Sequence, residues 1–276
     1  MSALDSVLAQ YEKNKQATGG NVNKVSQEER MKKYFTTILP KGVKTQEKRI
    51  RILPTKDGSS PFIEVKFHEI QVDGKWVKLY DPAQEGGRSP LNEVAEGLVM
   101  SGDPSDKELA RQYRSKKFYI VKVIDRENEQ DGVKFWRFKH NTKGEGVLDK
   151  IVPIWRNKGD ITDSEKGRDL ILTLSLTKSG NGKEYTSISS IIPEDSGPLS
   201  TDAELSKEWL EDDLVWTDVY SKKPFEYLEM VANGEVPKWD SDSKKWVSNS
   251  TQETNIGNTH TTQDTQDDEV DSDLPF

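Results

Sequence analysis

The chain contains no cysteine. Disulfides, thiolate metal ligands and a cysteine nucleophile are therefore all ruled out. Histidine is nearly as scarce, since His68, His140 and His260 stand apart with no ligand spacing among them. Neither metal nor cofactor chemistry is expected. Long hydrophobic runs are missing too: no stretch approaches the roughly 18 to 20 apolar residues needed to span a bilayer. The opening MSALDSVLAQ lacks the basic region and apolar block of a signal peptide. A cytoplasmic setting without a membrane partner follows as the expectation. Apolar residues make up only 32% of the 276, matched by 32% charged, so part of the chain is expected to be disordered.

Positive charge is absent from the C-terminus. Ser250 to Phe276 holds seven acids and no Lys or Arg, which accounts for most of the net charge of -8. Elsewhere the charges are segregated. Lys41 to Lys56 carries six basic residues against Glu47, and Lys107 to Lys122 carries six against Glu108. Asp202 to Asp218 carries seven acids against Lys207. Such blocks create local fields of opposite sign, which matter more for capturing a polyanion than the total does.

Between these blocks the pattern is mostly strand. Short β-branched or aromatic runs cover Lys33 to Leu39, Arg49 to Leu53, Phe62 to Ile70, Lys75 to Tyr80, Phe118 to Asp125, Val133 to Phe138, Leu170 to Thr177 and Glu184 to Ile191. Turn signals such as Asp73-Gly74, Asp131-Gly132 and Gly180-Asn181-Gly182 separate them, as in a small antiparallel barrel. Pro82 to Gln112 interrupts the strands with a helical pattern at Leu91 to Met100, an excursion from the barrel. Glu204 to Leu214 and Pro224 to Ala232 read as C-terminal helices, and Pro237 to Val247 as a small hairpin. The expected class is mainly β with α additions.

Three strands combine cations with rings. Arg111 to Ile124 (RQYRSKKFYIVKVI) opens with Arg111, Tyr113, Arg114, Lys116, Lys117, Phe118 and Tyr119 before turning β-branched. Val133 to Lys139 (VKFWRFK) contributes Trp136 and Arg137, and is the expected hairpin partner of that strand. Lys183 and Tyr185 follow the Gly-Asn-Gly turn. A barrel that buries one strand face and presents cations and rings on an outer groove grips single-stranded nucleic acid by charge and stacking. The ordinary alternative is core rings beside a solvated charged face. Catalysis is not expected, because the strong acid clusters fall in a helix and a tail rather than converging on strand ends.

Three domains are expected. Residues 1–24 form an amphipathic helix and flexible linker in which Leu4, Val7, Leu8 and Tyr11 make one apolar stripe, a candidate self-association arm. Residues 25–248 form the binding core. Residues 249–276 form a disordered acidic tail.

The segments RIRILPTKDGSSPFIEVKFHEIQVDGKW, KELARQYRSKKFYIVKVI, DGVKFWRFK and GRDLILTLSLTKSGNGKEYTSIS occur in an order that resembles the helix-destabilising, single-stranded DNA-binding proteins of T-even-type bacteriophages. The resemblance implies an oligonucleotide-binding Greek-key barrel with a helical excursion, coating and protecting single strands during phage DNA replication, recombination and repair in an infected bacterial cell. It puts Arg111, Arg114, Phe118, Tyr119, Trp136 and Tyr185 in the cleft, with Lys48, Arg49 and Arg51 behind them. An RNA-binding or recombination-mediator protein on the same barrel is the alternative. The family's excursion binds zinc through one His and three Cys. Here His68 stands at the histidine position, and Ser89 and Asn92 replace a Cys-x-x-Cys pair, so apolar packing of Leu91, Val94, Leu98 and Val99 is expected to hold it instead. The terminal DDEVDSDLPF is similar to the tip of bacterial single-stranded DNA-binding proteins. In that tip, Leu274, Pro275 and Phe276 with Asp271 and Asp273 would dock replication, recombination and repair partners.

Overall fold

The computed structural model describes residues 27–141, 146–179, 182, 184–220 and 222–248. Helix α1 (Gln27–Lys32) belongs to a unit of residues 1–32, and all other elements belong to a second unit beginning at Lys33. Leu4, Val7, Leu8, Tyr11, Lys183 and the tip residues Asp271, Asp273, Leu274, Pro275 and Phe276 lie outside the described residues.

The second unit is mixed α/β, built on one eight-stranded sheet. Its strands are β1 (Tyr34–Phe35), β2 (Thr45–Ile52), β3 (Ile63–Val72), β4 (Lys75–Tyr80), β5 (Lys116–Asp125), β6 (Val133–Lys139), β7 (Arg168–Lys178) and β8 (Glu184–Ser196). The order is β1-β6-β5-β2-β7-β8, with β3 joining β5 to β4. Strand β5 is shared: residues 116–120 pair with β3, residues 123–125 pair with β2, and its other edge pairs with β6 in the expected hairpin. Among the described residues no ladder joins β8 or β4 back to β1. The sheet is therefore open and does not close as the expected barrel would.

The helices are α2 (Pro90–Met100), α3 (Pro104–Tyr113), α4 (Val147–Lys158), α5 (Ala203–Glu211), α6 (Trp216–Val219) and α7 (Phe225–Ala232), followed by the hairpin β9 (Pro237–Asp240) and β10 (Lys245–Ser248). Two of them depart from expectation. The Asp103-Pro104 pair starts α3, because Asp103 accepts a 2.8 Å bond from the Ser105 N–H and Pro suits the first helical position. The stretch from Arg111 is consequently not one strand. Arg111 and Tyr113 end a helix, and β5 begins at Lys116. Helix α4 carries Pro153 in its interior, a residue that ordinarily argues against a helix, yet Ile151 and Ile154 bury one face of it on the sheet. The expected strand from Lys33 shrinks to two residues, which pair parallel to β6.

Both faces of the central strands are covered. On the α4 side, Val121 and Val123 pack with Ile50, Ile52, Trp136, Phe138, Leu170 and Leu172 against Ile151 and Ile154. Opposite, Phe118, Ile120 and Phe135 pack with Val65, Phe67 and Tyr80 against Val219 and Tyr220. A third core joins the far end of the β3–β4 hairpin to the excursion and α7 through Ile70, Leu79, Leu91, Tyr227, Leu228 and Val231. Leu91 and Ala95 hold α2 in place, whereas Val99 is exposed. Among the described residues no helix is long and apolar enough to cross a membrane.

One buried ionic cluster ties β2, β5 and β7 to the loops beyond them. Asp169 takes two bonds from Arg126, at 2.8 and 2.9 Å, and one from Arg51 at 3.3 Å. Arg51 also donates to the carbonyls of Asp163 and Gly197, both at 2.9 Å. Gly167 is the reason this guanidinium fits. A Cβ there would come within 2.6 Å of Arg51 Nη2 and closer still to the Asp163 carbonyl oxygen. Gly167→Ala is expected to cost about 2 to 3 kcal/mol through overpacking. Gly197→Ala, with nothing within 4 Å, is expected to stay near neutral. Chemical denaturation of both variants checks this, and equal stabilities would remove Gly167 from the account.

Candidate nucleic-acid interface

Side chains alternate along a strand, so β5 and β6 divide their residues between two faces. Lys117, Tyr119, Val121 and Val123 face α4, whereas Lys116, Phe118, Ile120 and Lys122 face away. The register sets Lys66 beside Lys117, and Glu64 beside Tyr119 beside Phe138. The His140 N–H donates to the Lys117 carbonyl at 2.9 Å, which extends the first row by one ring.

Among the described residues nothing roofs this part of the α4-side face. Lys66 and Glu64 are exposed, and Lys117, Tyr119 and His140 are half-buried. Phe62 forms the border on one side, its ring 6.1 Å from both Phe138 and Trp155 of α4. On the other side lies the turn at Pro82–Glu85, where the Gln84 side chain exchanges two 3.0 Å bonds with the Lys66 backbone and so occupies an open strand edge. Tyr119 lies between them, 5.7 Å from the rings of Phe138 and His140. A half-buried ring held from behind by other rings keeps one face for a planar ligand without losing conformational freedom on binding. Lys117 pairs with Glu64 at 2.9 Å, an exposed pair readily exchanged for a phosphate.

The residues read from sequence do not converge on this strip. Trp136 and Phe118 are fully enclosed, on opposite faces. Neither can stack on a base. Arg51 is buried in the Asp169 cluster. Arg137 lies among the rings of Tyr34, Phe67, Phe118 and Tyr220, 4.7 Å from the last. Lys116 faces away and shares Glu69 with Lys139, at 2.9 and 2.6 Å. Lys48 donates to the Thr36 carbonyl at 2.9 Å over the ring of Phe35. Arg49 is exposed on the outer face and pairs with Asp169 and Glu194, and Tyr185 is half exposed on that side. Arg111 pairs with Glu108, Tyr113 packs on the third core, and Arg114 is exposed where α3 gives way to β5. Sequence reasoning missed Phe62, Lys66, Phe138, His140 and Trp155. The signal available for Lys66 and Phe138 was cross-strand register with Lys117 and Tyr119.

The excursion that borders the strip is tied down by a buried polar cluster. His68, fully buried on β3, donates from Nδ1 to the Tyr113 carbonyl at 2.6 Å, and its Nε2 lies 3.1 Å from Ser89 Oγ and 3.5 Å from Asp81 Oδ1. Asn92 donates to Asp81 at 3.0 Å, and Asp81 also accepts the Ala83 N–H at 3.1 Å. Burial alone would raise the Asp81 carboxyl. Hydrogen bonds from His68, Ser115, Ala83 and Ser89 outweigh it and hold the group below the usual carboxylate range. Ser89 and Asn92 thus contribute to the excursion as hydrogen-bonding partners. Among the described residues no group of three or more His, Cys, Asp or Glu could hold a metal ion.

A family model described as gp32 DNA binding protein-like matches residues 44–234, over two thirds of the chain. The chain belongs to the gp32 DNA binding protein-like family. No curated protein matches it significantly. In this gp32-like chain the matched span runs from the loop before β2 to the end of α7, so it contains the strip and both of its borders.

The ion pairs on the face of the sheet opposite the strip imply a specific acid response. Burial would raise Glu69, but the charges and hydrogen bonds of Lys139 and Lys116 bring it from an ordinary 4.5 down to about 2. A depressed carboxylate stabilises the fold above its unfolded pKa, and that contribution is lost as pH falls through the folded value. Glu69→Gln should therefore cost on the order of 1 to 3 kcal/mol at pH 7, a difference that shrinks below pH 4.5 and vanishes near pH 2. Denaturant titrations of both proteins across that range test it. A gap independent of pH would show that Glu69 acts through packing instead.

Proposed function

We propose that the chain binds single-stranded DNA, without catalysis, along the strip between α4 and the excursion. One observation carries the reading. Tyr119, backed by Phe138 and His140, presents a half-buried ring beside Lys66 and Lys117 on a part of the α4-side face where Lys66 and Glu64 are exposed. Bases stack on Tyr119, while Lys66, Lys117 and Arg114 meet phosphates, with Arg111 available by exchange of Glu108. Membership of a DNA-binding family supports this. The shallow hollow on α5, lined by Asp202, Glu204, Leu205, Lys207, Glu208 and Glu211, is acidic and would repel a phosphate chain.

The same reading extends to parts of the chain that lie beyond the described residues or beyond what the fold decides. The open sheet is taken as a partly open oligonucleotide-binding barrel of Greek-key type, and the excursion as a zinc-free version of the family's metal subdomain. The role is coating and protecting single strands in phage replication, recombination and repair, in the cytoplasm of an infected bacterial cell. Lys183 and Tyr185 extend the contact surface. Leu4, Val7, Leu8 and Tyr11 provide self-association on a DNA lattice, and the acidic tail docks replication and repair proteins through Asp271, Asp273, Leu274, Pro275 and Phe276. RNA is discriminated by comparing homopolymers of equal length.

Tyr119→Ala should weaken binding to oligo-dT by about 1 to 3 kcal/mol with little change in Tm, whereas Trp136→Ala should cost about 3 to 5 kcal/mol of stability. With three or four phosphates neutralised, log K should fall with log salt at a slope of roughly -2 to -3. A salt-insensitive titration would remove Lys66, Lys117 and Arg114 from the interface. Dialysis against a strong chelator should leave both Tm and binding unchanged, and stoichiometric zinc in the purified protein would overturn the metal-free excursion.

A further inference from the structure

The hairpin β9–β10 begins after the residues that match the family model, and the strip makes no use of it. Two tryptophans face each other across it. Trp239 and Trp246 are register partners whose rings meet edge to face at 5.4 Å. Trp246 in turn meets the buried ring of Tyr227, on α7, at 4.8 Å. The three rings form a ladder running from the third core to the surface, and Trp239 at its outer end is 48% exposed. A hairpin of two four-residue strands has little stability of its own. The ladder fixes it.

The charges of the hairpin, with Lys223 beside it, are mostly cationic. Lys223 lies 5.4 and 5.5 Å from the Tyr227 and Trp246 ring centroids. Lys238, Lys244 and Lys245 are exposed on the two strands and the turn. The turn itself is stabilised by Asp240, whose carboxylate accepts from Ser243 Oγ at 2.6 Å and from the Asp242 and Ser243 N–H groups at 3.1 and 3.3 Å. Asp240 is thus occupied within the turn, whereas Asp242 and the three lysines are exposed. By strand alternation Lys238 and Lys245 lie on the face of this two-stranded ribbon opposite the tryptophan pair, so a strand that stacks on the exposed, rigidly held Trp239 ring meets them by crossing the ribbon's edge. An apolar protein partner would leave these lysines uncompensated.

We infer that the β9–β10 hairpin is a second single-stranded DNA contact, with Trp239 stacking on a base and Lys238, Lys244 and Lys245 meeting phosphates. The inference rests on the strip being the primary site. The excursion links the two, because its α2 shares the third core with α7 and Trp246. A strand leaving the strip across the excursion reaches the hairpin, so the contact should appear only when the oligonucleotide is long enough.

Fluorescence and anisotropy titrations of the full chain with oligo-dT of about 8 and about 25 nucleotides separate the two sites, since one such fold covers roughly 4 to 16 nucleotides. Trp239→Ala should lower affinity about tenfold for the long oligonucleotide and leave the short one unchanged. Trp239→Phe keeps a ring and should restore long-oligonucleotide affinity while reducing the fluorescence quench. Lys238→Glu with Lys245→Glu should weaken long-oligonucleotide binding and flatten its salt slope. No loss on either length, while Tyr119→Ala still weakens both, would overturn the hairpin contact and leave the strip intact. A gain in affinity in the Lys→Glu variant would also overturn it, and would assign the lysines to the acidic C-terminal segment. Failure of the unaltered protein to bind either length would instead remove the primary site.

Discussion

The strand β5 is buried on two sides and paired along both edges, and this double demand sets most of the architecture. Its first half must satisfy β3 and its last third β2, while β6 runs along the opposite edge. A strand covered on both faces cannot follow a simple polar-apolar alternation. FYIVKVI is accordingly almost continuous, interrupted only by Lys122, which donates to the Asp212 carbonyl at 2.8 Å where the chain leaves α5. Only the first turns of the strand escape cover on the α4 side. The half-buried tyrosine appears there because helix α4 ends at Lys158 on one side and the excursion begins beyond Tyr80 on the other.

Much of the positive charge that makes this sequence look like a polyanion binder is used internally. Arg51 and Arg126 share Asp169, Lys134 pairs with Asp125 and Asp131, and Arg137 is enclosed by four rings. Buried pairs of this kind are weak evidence of net stability, yet breaking one leaves an uncompensated charge and is costly. They are therefore poorly suited to exchange with a phosphate. The cations left for a ligand are those that are exposed or held only by surface acids, among them Lys66 and Lys117 on the strip, Arg111 and Arg114 at the end of α3, and the hairpin lysines. This division makes a near-neutral core compatible with a DNA-binding family.

The sequence made the element types legible more readily than the faces. Eight strands, the β5–β6 hairpin and the C-terminal helices could be read because β-branched runs and Asp-Gly turns are strong local signals. VKFWRFK was read as one aromatic-basic surface, but period-2 alternation puts Phe135 and Arg137 on one face and Trp136 and Phe138 on the other. Whether either face meets water depends on what lies over it. For Trp136 that is α4, concealed by Pro153, and for Arg137 it is the segment around Tyr220, a short helix with no periodicity long enough to read. Burial of these two residues is thus a tertiary fact with almost no local trace. Lys66 and Tyr119 were separable in principle, since register follows from hydrophobic pattern once the pairing of β3 with β5 is known.

The two borders of the strip are attached by different physics. Helix α4 is held by apolar contacts of Ile151, Ile154 and Trp155, which tolerate small slides of one surface over another. The excursion is held by directional bonds: His68 to the Tyr113 carbonyl, the bond between His68 Nε2 and Ser89 Oγ, and Asn92 to Asp81. Tyr113 immediately precedes Arg114, so the 2.6 Å bond from a fully buried histidine fixes the backbone from which that arginine projects. Replacing a polar partner in such a network leaves buried groups unsatisfied, at about 1 to 3 kcal/mol each. An apolar cluster of equal strength would hold the excursion without fixing the backbone position at Tyr113 and Arg114. Directional bonding is what makes that side of the strip a defined edge, because it fixes the backbone at Tyr113 where the excursion returns to β5.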